Sequence, residues 1–194
     1  MGNLHKLKIQ STMNVYEDNL DYLINFEDFN NRLKKDILSV GDKQDRETNV
    51  KADMTYWQMH TQFESFKTLL KIVAGEKIDK LRPLGLVQGG KVNLYCKDMW
   101  GAVYKKGDFT KPHNHVGATF SFTYYVEAPE GSSPLVFTHP GFMQIKPRKG
   151  TLLIWDANYQ HMVPEQSIDE PRIMIAGNIN YHTETLEPQE VINA

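Results

Sequence analysis

The stretch HNHVGATFSFTYYV, residues 113–126, alternates large apolar side chains with smaller polar ones. In an extended strand, successive side chains point to opposite faces of a sheet. Phe120 and Phe122 therefore share one face of the predicted strand, whereas Thr123 and Tyr125 occupy the other. We expect the first face to pack against another layer of the protein and the second to line a partly polar interior.

The same alternation of apolar and polar residues, with a period of two, is found on both sides of this strand, from about residue 87 onward. Short runs rich in Val, Ile, Thr, Tyr and Phe are separated there by turn residues and prolines, which is typical of strands. Residues 172–179 place Ile173 on an outer face and Arg172 on an inner one. Lys97 and Asp98 predict a turn between the two strands of a hairpin.

The N-terminal half has helical spacing instead, with apolar residues three or four positions apart. A first amphipathic helix is predicted from Phe26, Phe29, Leu33 and Ile37. A second helix that ends near Gly75 is predicted from Phe63, Phe66, Leu70 and Val73. Within the polar stretch 39–55 between them, the segment 41–53 is expected to be an exposed loop.

Helices followed by about eight short strands indicate an α+β fold. We expect a double-stranded β-helix, of the jelly-roll or cupin-like type, with the N-terminal helices packed on one sheet. A chain of 194 residues is long enough for one domain with a sizeable core. We divide this domain into a helical support region, 1–86, a jelly-roll core, 87–182, and a C-terminal tail, 183–194.

Composition excludes several classes of protein. The chain is 40% hydrophobic, with 22 Lys+Arg against 24 Asp+Glu, which is the balance of a globular protein rather than of a disordered or fibrous one. The net charge of −2 provides no overall attraction to nucleic acid or to an anionic membrane. Cys96 is the only cysteine and cannot form an internal disulfide. Because no signal peptide or bilayer-length apolar run is evident, we expect a cytoplasmic protein with no membrane partner.

Three of the seven histidines stand apart by their context. His113 and His115 are two residues apart, so in a strand both imidazoles project to the same side and can converge on one ion. Antiparallel pairing could bring His161 beside them. Neutral imidazoles suit Fe, Zn, Cu and Ni, and the spacing alone does not choose among these metals. The alternative is a strand end that carries two surface histidines.

Arg172 follows His161 by eleven residues and is predicted to face the interior. An unpaired guanidinium is costly there, and its fixed donors suit a carboxylate. The carboxylate could belong to a ligand or to a nearby acid such as Asp169 or Glu170.

Three motifs carry a resemblance to a known family. They are WGAVYKKGDFTKPHNH at 100–115, IKPRKGTLLIWDANYQHMV at 145–163 and PRIMIAGNI at 171–179. Together with the strand that ends in TYYV, this order resembles the iron(II)- and 2-oxoglutarate-dependent dioxygenase superfamily. The resemblance is strongest to its prolyl-4-hydroxylase-like branch and to small bacterial and phage oxygenases.

The resemblance implies a role for each matching residue. His113 matches the first iron ligand, His161 the distal ligand, and Arg172 the residue that holds the far carboxylate of 2-oxoglutarate. Tyr104 and Tyr125 match tyrosines that help to hold that co-substrate. No catalytic residue is implied beyond the metal site.

The resemblance also implies an activity. It is an oxygenase that uses Fe(II), 2-oxoglutarate and O2 to hydroxylate an unidentified substrate, with release of succinate and CO2. A protein side chain, a small molecule or a nucleobase would fit as substrate. Similarity to phage oxygenases suggests the cytoplasm of an infected bacterium as the place of action.

The sequence departs from the family at one position. The family has an Asp or Glu two residues after the first histidine ligand, but this sequence has His115 at that position. We favour His115 as the third metal ligand. The alternative is that the carboxylate of Asp108 or Asp156 binds the metal instead. Two other functions stay open: a cupin-type metalloenzyme with three histidine ligands that does not use 2-oxoglutarate, and a non-catalytic jelly-roll binding module.

Overall fold

The computed structural model describes residues 12–43, 47–78 and 92–183. Its helices are α1 (Phe26–Val40), α2 (Met59–Gln62) and α3 (Glu64–Ile72), and α3 continues into a π-helical turn, Val73–Lys77. Its strands, in chain order, are β1 (Val15–Asn19), β2 (Val50–Lys51), β3 (Asp53–Met54), β4 (Val92–Tyr104), β5 (Phe109–His113), β6 (Phe120–Glu127), β7 (Leu135–His139), β8 (Met143–Ile145), β9 (Thr151–Asp156), β10 (Gln160–Val163) and β11 (Arg172–Thr183).

The strands form two antiparallel sheets. The larger sheet has six strands in the order β1-β9-β6-β11-β4-β3, and the smaller has five in the order β2-β5-β10-β7-β8. Strands that are neighbours in a sheet are mostly distant in sequence, as in a double-stranded β-helix. The longest pairing joins β11 to β4, from Arg172 opposite Tyr104 to Thr183 opposite Val92.

The helices cover the outer face of the larger sheet. Apolar side chains of α1, such as Leu33 and Ile37, are buried against β-strand residues such as Phe122. Helix α1 lies so close to β4 that a Cβ atom at Gly101 would come within 2.6 Å of Ile37 Cγ1. Only glycine fits at this position, because real Cβ atoms do not approach neighbours so closely.

A second apolar cluster lies between the two sheets. The larger sheet contributes Trp100, Tyr125 and Trp155, and the smaller sheet contributes Leu135 and Phe137. The alternation predicted for β6 and β11 is therefore observed, with one face of each strand under the helices and the other toward the interior.

The predicted single strand over residues 113–126 is wrong. Strand β5 ends at His113 in the smaller sheet, and β6 begins at Phe120 in the larger one. The residues between them carry the chain from one sheet to the other, and His115 lies in this loop. A period of two does not reveal where a chain changes sheets, because both strands contribute alternating side chains.

The predicted hairpin turn at Lys97 and Asp98 is also wrong. Strand β4 runs through both residues, and the pairing with β11 shifts there, since Asn178 lies opposite Asp98 and Ile179 opposite Cys96. Lys97 is the extra residue of a β-bulge. A bulge interrupts the alternation as a turn does, and the sequence pattern alone does not distinguish the two.

The segment 41–53 is not wholly an exposed loop. It contains β2, which pairs with β5, and it runs into β3, which pairs with β4. Strand β1 also precedes the first helix and pairs with β9, so the N-terminal region adds strands to both sheets. Most of these strands are too short for an alternating pattern to identify them.

The α+β double-stranded β-helix with N-terminal helices on one sheet is confirmed. The predicted C-terminal tail lies outside the described residues beyond Thr183. In the described part of the chain, no helix is both long enough and apolar enough to cross a bilayer.

Candidate metal centre and anion site

Three imidazoles converge between the sheets. His161 in β10 lies directly opposite His113 at the end of β5, and His115 follows in the adjoining loop, where its backbone N–H donates to the carbonyl of Ala157 at 2.8 Å. One ring nitrogen from each histidine lies within 4.8 Å of the others. This spacing suits three ligands of a single ion, because metal to nitrogen bonds are about 2 Å long.

Backbone carbonyls orient two of the rings. Nδ1 of His113 donates to the carbonyl of Lys111 at 2.9 Å, and Nδ1 of His161 donates to that of Tyr159 at 3.0 Å. Since a carbonyl only accepts, each Nδ1 carries the proton and each Nε2 keeps a free lone pair. Such carbonyl bonds fix the tautomer of histidines that ligate metals.

The three imidazoles are held in the neutral form that binds metal. Burial and, to a smaller extent, the neighbouring His161 and His113 rings when they are charged lower the pKa of His115 to about 3. Burial likewise lowers the pKa of His161 to about 4, and it also lowers the pKa of His113. No proton has to be displaced at neutral pH when a cation binds.

The acids considered as alternative ligands lie elsewhere. An Asp108 carboxylate oxygen accepts the backbone N–H of Lys105 at 2.8 Å in a turn. Asp156 accepts the backbone N–H of Asn158 at 2.9 Å. Across the described residues, no Asp or Glu joins any two of the histidines at ligand spacing. The geometry therefore favours His115 over either acid.

Arg172 lies at the other end of the interior. It is 1% exposed, and its Nη1 donates to the carbonyl of Ser133 at 2.7 Å. Its Nε has no hydrogen-bond partner among the described residues. Asp169 pairs with Lys106 at 3.0 Å instead, and within the described ranges Arg172 forms no ion pair with a carboxylate. A buried guanidinium in this state is strongly disposed to bind an anion.

Two tyrosines surround the Arg172 guanidinium. Its carbon atom lies 4.1 Å from the ring centre of Tyr104 and 5.9 Å from that of Tyr125. The Tyr104 hydroxyl lies 2.6 Å from Oγ1 of Thr110. Burial raises the pKa of both phenols, that of Tyr125 to about 12. Both tyrosines therefore remain neutral and can donate a hydrogen bond at neutral pH.

One cavity connects the histidines to Arg172. Its empty volume is about 520 Å³ including the open mouth, and its lining includes the three histidines, Arg172, Tyr104 and Tyr125. The six residues singled out in the sequence thus surround one cavity.

Sequence reasoning missed other residues of the cavity wall. Thr110, Trp155 and Leu135 line it as well, and Ser133 supplies the carbonyl that fixes Arg172. The alternation in TLLIWD could have assigned Trp155 to the inner face. Nothing in the sequence indicates the Ser133 contact, because its backbone makes it.

The protein resembles solved structures in fold. A prolyl-4-hydroxylase from Pseudomonas putida is 18% identical, with 87% of this chain and 93% of that chain covered and a TM-score of 0.62. The viral collagen prolyl hydroxylase vCPH from Paramecium bursaria Chlorella virus-1, in complex with 2-oxoglutarate, is 18% identical, with 84% and 95% covered and a TM-score of 0.57.

A third similar structure binds a small molecule. HygX from Streptomyces hygroscopicus, with nickel, 2-oxoglutarate and hygromycin B bound, is 10% identical, with 87% of this chain and 83% of that chain covered and a TM-score of 0.60. No protein-family model and no curated protein matches the sequence. The chain therefore has the double-stranded β-helix fold of the 2-oxoglutarate- and iron(II)-dependent oxygenases.

Proposed function

We propose that the protein is an Fe(II)- and 2-oxoglutarate-dependent oxygenase that hydroxylates a substrate and releases succinate and CO2. The observation that carries this proposal is the buried Arg172 guanidinium, which has no carboxylate partner among the described residues and shares a cavity with three convergent histidines. A ligand that satisfies both ends must bind a metal and also present a carboxylate to Arg172. 2-Oxoglutarate has both properties.

The residues present fit a divalent metal. Nε2 of His113 and of His161 is free to bind, because carbonyls hold the opposite nitrogen of each ring. His115 supplies a third imidazole. Three neutral ligands leave the double positive charge of the ion uncompensated, so an anionic co-substrate is attracted to the site.

When bound, Fe(II) supplies the activation of O2 that oxidises a C–H bond while 2-oxoglutarate loses CO2. The chain itself provides placement. Arg172 Nε can donate to the far carboxylate, the Tyr104 ring supports the guanidinium, and apolar walls such as Leu135 exclude water from the cavity. Fixing a ligand between two anchors in a dry cavity is the contribution that proteins make to cofactor chemistry.

Turnover of 2-oxoglutarate tests the proposal. The protein is incubated with Fe(II), ascorbate, O2 and 1-¹⁴C-labelled 2-oxoglutarate, and the labelled CO2 and the unlabelled succinate are measured separately. We expect slow release of both without a primary substrate, and loss of that release in His161→Ala. Absence of turnover from protein that demonstrably binds both Fe(II) and 2-oxoglutarate would contradict an oxygenase role and leave a non-catalytic binding module.

A second candidate is a metalloenzyme of the cupin type that does not use 2-oxoglutarate. It is favoured by one observation, namely that all three clustered ligand side chains are histidines. It predicts tight metal binding, no binding of 2-oxoglutarate, and a metal affinity that is independent of Arg172.

We leave the primary substrate unassigned. Among the similar structures, vCPH is a collagen prolyl hydroxylase and HygX holds hygromycin B, so the fold accepts both peptides and small molecules. For this chain we propose a protein side chain, a small molecule or a nucleobase as the substrate. Action in the cytoplasm stays a prediction.

A further inference from the structure

Two buried donors in the cavity wall have no acceptor. Four buried side-chain nitrogen and oxygen atoms lack a hydrogen-bond partner within the described ranges. Two of the four, Arg172 Nε and Trp155 Nε1, belong to side chains that line the central cavity. Arg172 already has a role in the proposed function, and Trp155 does not.

Trp155 lies at the histidine end of the cavity. Its side chain is 2% exposed, and its ring centre is 5.1 Å from that of His161 and 5.4 Å from that of Phe137. Both contacts are edge to face. Because β9 pairs with both β1 and β6 in the larger sheet, the backbone of Trp155 is held firmly and the indole cannot easily turn toward solvent.

The chemistry of indole limits what can satisfy this atom. Nε1–H is a donor only, and a buried donor without an acceptor is costly. Trp100 also lines the cavity, but its Nε1 is not among the unpartnered buried atoms. Of the two tryptophans in the cavity lining, Trp155 is therefore the one whose buried indole nitrogen has no partner among the described residues.

We propose that Trp155 is a ligand-binding residue whose Nε1–H donates a hydrogen bond to the end of the co-substrate beside the histidines. The inference rests on the proposed function, since that co-substrate is 2-oxoglutarate, with its far carboxylate on Arg172. The cavity then recognises a molecule with an acceptor group at each end. Trp155 also contacts the ring of His161, which places its indole beside the histidine end of the cavity.

Indole nitrogen NMR tests the assignment in the unaltered protein. The chain contains three tryptophans, so the ¹⁵N-labelled, Zn(II)-loaded protein gives three Nε1–H signals, which Trp155→Phe, Trp100→Phe and Trp57→Phe assign. We expect 2-oxoglutarate to move the Trp155 signal downfield and to slow its hydrogen exchange. The Trp57 signal should move less, because Trp57 lies outside the cavity lining.

Calorimetry on the Zn(II)-loaded variants completes the test. Trp155→Phe should weaken 2-oxoglutarate binding roughly tenfold, the effect of losing one hydrogen bond to a charged group, with unchanged Zn(II) affinity. The matched variant Trp57→Phe should bind 2-oxoglutarate as the wild type does.

The outcomes separate this inference from the proposed function. If the wild type binds 2-oxoglutarate but the Trp155 signal stays fixed and Trp155→Phe binds equally well, the role of Trp155 is refuted and the oxygenase proposal stands. If the Zn(II)-loaded wild type binds no 2-oxoglutarate at all, both are refuted.

Discussion

The two ends of the cavity differ in what they demand of a ligand. The histidine end offers three neutral imidazoles, a set that several divalent metals accept. The arginine end offers a buried cation with no carboxylate partner in the described part of the chain, and such a cation favours an anionic ligand. Either feature by itself would fit many protein functions. Their presence in one cavity is what favours a dicarboxylate that also binds metal.

The comparison also explains why the missing carboxylate need not disable the site. Replacing Asp or Glu by His115 leaves more positive charge at the metal end, and Arg172 adds charge at the other. An anionic co-substrate bound between the two ends is therefore held electrostatically from both sides. In the proposed function, the histidine end determines whether a metal binds, and the arginine end determines which ligand joins it.

The largest effect is expected at the histidine end. His161→Ala removes the most buried of the three ligands and should weaken Zn(II) binding on the order of a hundredfold or more, beyond the loss typical of an outer-shell partner. Competitive titration against a chromophoric chelator measures it. His139→Ala, which changes a histidine outside the cluster, serves as the control, and equal affinities in the two variants would disprove the metal site.

The next effect is at the arginine end. Arg172→Met keeps the length of the side chain and removes its charge, so it should weaken 2-oxoglutarate binding about a hundredfold, as loss of a buried charged partner does. Zn(II) affinity should not change. Calorimetry on the Zn(II)-loaded protein measures both constants, and a parallel loss of metal affinity would indicate a collapsed cavity instead.

The stability of Arg172→Met distinguishes an arginine that binds a ligand from one that completes a structural ion pair. Because a buried guanidinium without a counter-ion is costly, metal-free Arg172→Met should be as stable as the wild type or more stable, by up to about 4 kcal/mol in unfolding free energy. If Arg172 instead completed a structural ion pair, the loss would be about 3 to 5 kcal/mol. Urea denaturation followed by circular dichroism separates the two.

A smaller effect is expected from restoring the carboxylate. His115→Asp adds a hard, negatively charged ligand, so the ratio of Mn(II) to Cu(II) affinity should rise about tenfold. Competition between the two metals measures this ratio in variant and wild type. An unchanged ratio would show that His115 does not bind the metal.

The smallest effect concerns the tyrosine beside Arg172. Tyr104→Phe keeps the ring under the guanidinium and removes the hydroxyl, so 2-oxoglutarate should bind about fivefold more weakly. Tyr124→Phe is the matched control, because its hydroxyl donates to Asn30 Oδ1 on the helix side of the sheet. We expect Tyr124→Phe to lower stability and to leave 2-oxoglutarate affinity unchanged.

Side-chain periodicity was enough to predict which residues of β6 and β11 face the helices and which face the interior. Alternation placed Tyr125 and Arg172 inward correctly, since a strand has only two faces. It failed where the backbone departs from a regular strand, at the Lys97 bulge and at the change of sheet after His113. It also missed β2, because a strand of two residues has no period to detect.

The candidate site was predictable to a similar extent. Spacing and strand pairing indicated His113, His115 and His161, the predicted inner face of β11 indicated Arg172, and the resemblance added the tyrosines. The choice of His115 over Asp108 or Asp156 required the folded structure, since only coordinates show that both acids accept local backbone N–H groups. The unpartnered Trp155 Nε1 could not be predicted either, because it depends on every neighbour of that atom.

One measurement tests most directly whether the two ends bind one ligand. Under anaerobic conditions, the metal-free protein is titrated with Fe(II) and then with 2-oxoglutarate while the visible absorption band of the iron chelate is followed. We predict that the band forms in the wild type with one equivalent of each component, and that Arg172→Met binds Fe(II) normally but requires far more 2-oxoglutarate to form it. Normal Fe(II) binding with no band in the wild type at any 2-oxoglutarate concentration would contradict the account.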